Sequence, residues 1–313
     1  MLVALVYLYF QYPAAPTGDI RTLYDLTLDP STQSWLFWAF FVAFAIKMPL
    51  FPFHTWQPDT YTESPTPATM LLSGIMLKMG VYGLFRLLLP LVPQALDQWG
   101  MMAMVLSVIG ILYGSVIAIQ QRDMKRLIAY SSFAHVGLMA AGVFSATLHG
   151  LQGAMIQMLA HGVNVVGLFF IVELIYTRTQ SRYLNQRGGI TQYSPQLSVF
   201  FMILLLGSVA LPLTNGFVGE FLLLMGVFEY NTWLGALAGL TIILGAVYML
   251  RLFQKAMFGK AGDRVSADFA DLSWSERAVL IPLIIMVFWI GLYPSSFLAL
   301  SEPTVQELLG FIK

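Results

Sequence analysis

The chain has 313 residues, 58% hydrophobic and 10% charged, with 16 basic and 16 acidic side chains that cancel. A water-soluble domain carries about 25% charged residues, so this composition describes a protein that crosses a membrane several times, and zero net charge gives no sign of a nucleic-acid partner. Cysteine is absent, which excludes disulfides, a thiolate nucleophile and cysteine-ligated zinc or iron–sulfur clusters within this sequence.

Met1 to Phe10 is apolar but lacks the basic start and small-residue cleavage site of a signal peptide. Crossing the hydrocarbon takes about 20 apolar residues. Met1 to Tyr12 offers about half that before Pro13 and Pro16, so the sequence reads as opening inside a helix. A polar connection follows with Asp19, Arg21, Asp25 and Asp29. The next apolar run, 34–51, carries Lys47 and is broken by Pro49 and Pro52, since an interior proline removes a donor and clashes with the preceding turn. A helix predicted over 67–89 carries Lys78 near its middle. A mid-bilayer lysine costs roughly 2.5–3.5 kcal/mol, so two in succession demand partners, internal water and a role.

Further helices are predicted over 99–120, 127–147, 150–176, 197–228, 232–258 and 275–298. The run over 197–228 is interrupted at Pro212 to Gly216, just before Glu220. The expected fold is therefore all-α: a polytopic membrane protein of about nine transmembrane segments, two of them broken helices. Paired broken helices beside intramembrane charges point to a transport site built from inverted repeats.

Basic residues collect in alternate connections: Arg122, Lys125 and Arg126; Arg178, Arg182 and Arg187; Lys255, Lys260 and Arg264, flanked by Arg251 and Arg277. The other side holds Arg21, Arg86 and Lys313. By the positive-inside rule the basic loops face the cytoplasm. Trp35, Trp38, Trp56, Trp99, Trp233 and Trp274 fall near predicted ends, as an interfacial belt would.

The intramembrane polar set is Lys47, Lys78, His135, His161 and Glu220. Burial disfavours the charged form of a lysine or a carboxylate, so such groups can exchange protons near neutral pH. Each also has a structural reading: snorkelling or a fixed ion pair for the lysines, a capping carboxylate at Glu220, a satisfied hydrogen-bonder at either histidine. Glu173 reads as an interfacial partner of Arg178, one turn on. His54, Asp59 and Glu63 share a proline-rich loop without metal-ligand spacing. No nucleotide loop or hydrolase elbow occurs.

Several stretches together resemble one family: AFAIKMPLFPFHTWQPDTYTESPTP at 43–67, LLSGIMLKMGVYGLFR at 71–86, RDMKRLIAYSSFAHVG at 122–137, LQGAMIQMLAHGVNVVGLFF at 151–170 and NGFVGEF at 215–221. They are similar to the antiporter-like proton-translocating subunits of respiratory complex I, the NADH:quinone oxidoreductase, which are themselves similar to Mrp-type Na+/H+ antiporter subunits. An acid at the second broken helix, Glu220, resembles the chain M (chain 4) branch.

The resemblance implies an antiporter-like inverted-repeat fold. Residues 1–93 would be the remainder of a first repeat, 94–260 the second, and 261–313 a terminal helix and tail. It implies a proton relay through Lys47, Lys78, His135, His161 and Glu220, with no catalytic redox centre in this chain. NADH, FMN, iron–sulfur clusters and quinone are then expected in partner subunits, beside neighbouring membrane-arm subunits in a bacterial inner membrane. A ferredoxin-driven relative of complex I fits the same motifs. Aligned on them, the sequence starts at the family's sixth helix and is expected to be N-terminally incomplete, without the upstream glutamate that partners Lys47.

Overall fold

A computed structural model describes residues 1–13, 15–184, 188–261, 265 and 269–312. Arg187, Arg264 and Lys313, counted above among the orienting charges, lie outside the described residues.

Helices account for the described architecture, and six of them are long and apolar enough to cross a membrane. These are α4 (Thr66–Leu91), α5 (Pro93–Gln120), α6 (Met124–Phe144), α7 (Leu148–Thr179), α10 (Thr232–Met257) and α11 (Trp274–Leu292). The remaining predicted segments are the ones expected to be partial or broken. Helix α1 (Leu2–Tyr9) is short. The first broken segment comprises α2 (Pro30–Lys47) and α3 (Trp56–Glu63). The second comprises α8 (Pro195–Ser208) and α9 (Asn215–Tyr230). A further helix, α12 (Ser295–Ile312), occupies what the sequence presented as a tail.

Starts of helices follow local chemistry. Asp123 accepts the N–H groups of Lys125 (2.8 Å) and Arg126 (3.1 Å) at the head of α6. Thr147 does the same for Gly150 at α7, and Ser273 with Glu276 forms a capping box at α11. Such caps satisfy donors that no helix can pair internally.

Helix α6 is the centre of the bundle, with 94% of its spanning window buried, whereas α11 has 17%. The peripheral helices instead show apolar side chains outward, among them Ile243, Val247, Ile285 and Phe288, as a lipid-facing surface requires. Helix α7 meets α9 across glycines: a Cβ on Gly226 would lie 2.4 Å from the Gly150 nitrogen. Small residues let membrane helices approach to backbone contact, which is how dispersion forces hold helices together where no hydrophobic drive separates them from lipid.

The loops carrying the basic residues share one end of the molecule. Met124 N–H donates to Arg182 O, Leu184 N–H to Arg122 O, and Gly189 N–H to Phe258 O. Arg178 donates to Ala270 O and pairs with Glu276 at 2.8 Å.

Candidate functional site

Lys78, His135, His161 and Glu220 come from four separate helices, α4, α6, α7 and α9, and all four are buried. They meet in two contact pairs.

Lys78 Nζ lies 2.8 Å from His161 Nδ1 and also donates to the carbonyl of Ser73. When Lys78 is an ammonium, which has donors only, His161 Nδ1 is the acceptor and the ring proton sits on Nε2. The approach of α7 to α4 that permits it depends on Gly162, where a Cβ would sit 3.0 Å from Gly74 O. Two wide π turns, Leu72–Met76 and Leu84–Leu88, lie before and after Lys78 in α4. Such turns insert a residue and rotate the face that follows, and they concentrate at functional positions. The sequence reading treated α4 as an uninterrupted helix.

His135 Nε2 is 3.1 Å from Glu220 Oε1 and 3.1 Å from Ser208 O, while its Nδ1 is 2.7 Å from Ser131 O. Both ring nitrogens face oxygen acceptors, the arrangement of an imidazolium held against a carboxylate. The second helix break makes this possible: α8 ends at Ser208, whose free carbonyl turns to His135. Asn215 closes the other side of the break. Its Oδ1 accepts from Gly216 N (2.9 Å) and from Asn164 Nδ2 (3.1 Å), and its Nδ2 donates to Ala160 O. Ala210 and Leu213 take φ of 56° and 74° between the half-helices, values unfavourable for residues with a Cβ.

The two pairs are neighbours, with the His135 and His161 rings 5.5 Å apart between centroids. A cavity of about 10 Å³ lies among His135, His161, Ser132, Gln157, Asn164 and Ser208, a space sized for one water molecule. Ser132 Oγ, Gln157 Oε1 and Asn164 Oδ1 are buried there with no hydrogen bond to the described residues. Buried polar atoms of this kind call for a partner.

Lys47 stands apart. It is partly exposed at the end of α2, and its side chain makes no hydrogen bond or ion pair among the described residues. Glu173 is not the partner of Arg178: it accepts a hydrogen bond from Thr66, while Arg178 holds Glu276 across the bundle. The one-turn spacing suggested the pair, but α11 places a better-aligned carboxylate within reach of the guanidinium. Among the described residues no group of His, Asp and Glu could hold a metal ion.

Sequence reasoning missed Ser131, Ser132, Gln157 and Asn164. A signal was present, because each lies three or four residues from His135 or His161 and therefore on the same helix face.

Residues 1–245 match the profile of the family described as NADH:quinone oxidoreductase/Mrp antiporter, transmembrane. The chain belongs to that family. Among curated members of this antiporter family, it is 42% identical over 311 residues to NADH-quinone oxidoreductase subunit M of Rickettsia bellii, covering 98% of the chain and 62% of that relative. It is 39% identical over 322 residues to NADH-quinone oxidoreductase subunit M of Rhodobacter capsulatus, again 62% of the relative. The chain thus spans less than two thirds of the length of these curated relatives. Among solved structures it resembles a chain of respiratory complex I from Thermus thermophilus, with a TM-score of 0.94 and 33% identity, covering 100% of this chain and 66% of that one.

Proposed function

We propose that this chain is a non-redox, proton-translocating membrane-arm subunit of a bacterial NADH:quinone oxidoreductase, of the chain M (chain 4) type. The observation that carries the reading is the line Lys78–His161–His135–Glu220, four titratable side chains from four helices joined at 2.8 and 3.1 Å with a water-sized cavity between the pairs. Buried ionisable groups in membrane helices are costly and are retained where they move ions or protons.

The chemistry runs through exchange of identity along that line. Protonated Lys78 gives a proton to His161 Nδ1, and His161 releases its Nε2 proton toward the cavity. One water there, held by Ser132, Gln157 and Asn164, links the two rings. His135 gives its Nε2 proton to the Glu220 carboxylate, and the neutral ring left behind can then take up a proton from the cavity. Run backwards, the same groups carry protons the other way. Quinone reduction elsewhere in the complex supplies the energy by changing the charge at one end. NADH, FMN, iron–sulfur clusters and quinone belong to partner subunits in this reading, and neighbouring antiporter-like subunits flank the chain in the bacterial inner membrane. Lys47 is the further member of the relay that the family resemblance supplies.

The test is NADH-driven proton uptake by inverted membrane vesicles carrying Glu220→Gln. Uptake per NADH oxidised falls while the assembled complex is retained; unchanged uptake per NADH would sink the reading. The family description also names Mrp antiporters. That alternative predicts sodium-dependent, NADH-independent proton exchange in the same vesicles.

A further inference from the structure

On the side of the bundle away from the basic loops, α12 does not pack flush against its neighbours. Between α12, the end of α4 and the 19–26 connection lies an open cavity of about 630 Å³, lined by Arg21, Tyr24, Tyr82, Arg86, Glu307 and Phe311. The Tyr24 hydroxyl donates to Arg86 O at 2.8 Å, and the Tyr24 and Phe311 rings lie 5.2 Å apart, so the aromatic wall is built rather than incidental. Neither arginine is in an ion pair with a described residue, and Glu307 is in none either. Asp19, the acid next to Arg21, receives the Arg21 N–H and the Thr22 hydroxyl and lies outside the lining. Two guanidiniums against one carboxylate leave the cavity one positive charge.

A second cavity, about 230 Å³, continues along the groove between α7 and α12 and is mainly apolar, formed by Ile156, Leu159, Phe297 and Leu300 with Ser301 as its polar member. Met155 lines both cavities. Leu300 is 80% exposed and Leu159 40%, so this arm opens to the hydrocarbon. A cationic pocket that shares Met155 with an adjoining apolar slot has the shape and charge of one class of molecule.

We propose that this groove binds an anionic phospholipid, with its phosphodiester between Arg21 and Arg86 and one acyl chain along Leu159 and Leu300. The net charge of the cavity matches a single phosphodiester. Guanidinium forks suit phosphate oxygens, and Tyr82 adds a hydroxyl donor to the lining, the Tyr24 hydroxyl being engaged by Arg86 O. The apolar arm is what distinguishes a lipid from free phosphate as the occupant.

The experiment is native mass spectrometry of the tagged chain in its intact membrane assembly, relipidated from equal parts phosphatidylglycerol and phosphatidylcholine and then washed in detergent. Phosphatidylglycerol is retained preferentially, and each of Arg21→Gln and Arg86→Gln lowers retention roughly fivefold, the value of one basic residue near a lipid surface. Leu300→Gln lowers it as well, whereas Glu307→Gln raises it. Assembly yield and subunit composition, measured in the same spectra, separate loss of a lipid from loss of the fold. Equal retention of both lipids, displacement of the lipid by millimolar inorganic phosphate, or retention unchanged in the arginine double variant would each overturn the proposal. None of these readouts involves proton transfer, so the outcome stands apart from that of the proposed function.

Discussion

His135 has two duties that mutation can separate. Its ring offsets the buried Glu220 carboxylate at 3.1 Å, and it stands next in line from His161. Removing one member of a buried charged pair strands the other, at a cost of about 3–5 kcal/mol. His135→Ala is therefore expected to lower the thermal stability of the purified assembly by that order, and adding Glu220→Gln to restore most of it. If the two effects simply add, the pair is not coupled. Lys78 permits the opposite design. It has a neutral histidine nitrogen and a carbonyl as partners, so Lys78→Met, close in volume, leaves no orphaned charge. Stability should hold or rise, as it often does when a buried ion is replaced by an apolar isostere, while proton uptake per NADH falls by the share this subunit contributes. These residues were legible because a charge inside an apolar run has so few alternatives. Their pairing was not: no spacing in the sequence says that residue 78 meets residue 161, or that residue 135 meets residue 220.

At the scale of elements, both breaks were legible because proline and glycine act locally, at Pro49 and Pro52 and again at Pro212 and Gly216. The π turns of α4 were not, since LLSGIMLKMGVYGLFR contains no breaker strong enough to announce them. Helix α12 was hidden by Pro303 and its flanking acids, although its apolar residues Val305 and Leu308 are buried. One loop residue organises the start of α8. Asp271 accepts from the Ser194 hydroxyl (2.7 Å) and from the N–H groups of Gln196 (3.0 Å), Leu197 (3.1 Å) and Leu272 (2.8 Å). Burial pushes its pKa up, but those hydrogen bonds outweigh it and hold the carboxyl below the usual aspartate range. A depressed folded-state pKa adds stability above the unfolded value of about 3.9, and that stability is lost as pH falls through the folded value. Asp271→Asn should thus cost about 1 kcal/mol at pH 7, the worth of a good cap, with parent and variant converging below about pH 4. Thermal unfolding at the two pH values checks this. On the crossing of α7 and α9, Gly226→Ala drives a methyl against the Gly150 backbone, which cannot turn aside. A loss of about 1–3 kcal/mol is expected in the same unfolding assay.

For the whole molecule the decisive quantity is which end carries the basic charge. Arg122, Arg182 and the residues around Phe258 are tied together by backbone hydrogen bonds, so their cationic loops cannot be divided between two faces of a membrane. Arg21 and Arg86 lie at the other end, beside α12. Lys and Arg resist translocation, so the loop cluster is expected in the cytoplasm. Because the chain has no cysteine, a single introduced thiol reports its own side without background. Gln192→Cys and Ala261→Cys, both exposed near the loop cluster, should react with a membrane-impermeant maleimide in inverted vesicles and stay protected in right-side-out ones. Gly18→Cys and Gly310→Cys, where nothing lies within 4 Å of an added Cβ, should do the reverse. The four sites bear on one another: a reversal at all of them inverts the orientation while keeping the fold, whereas a reversal at only one end is incompatible with this helix order. Helix α6 runs from the loop cluster toward the far side and α7 returns, so His135 and His161 face each other midway between the two ends whichever way the molecule is oriented.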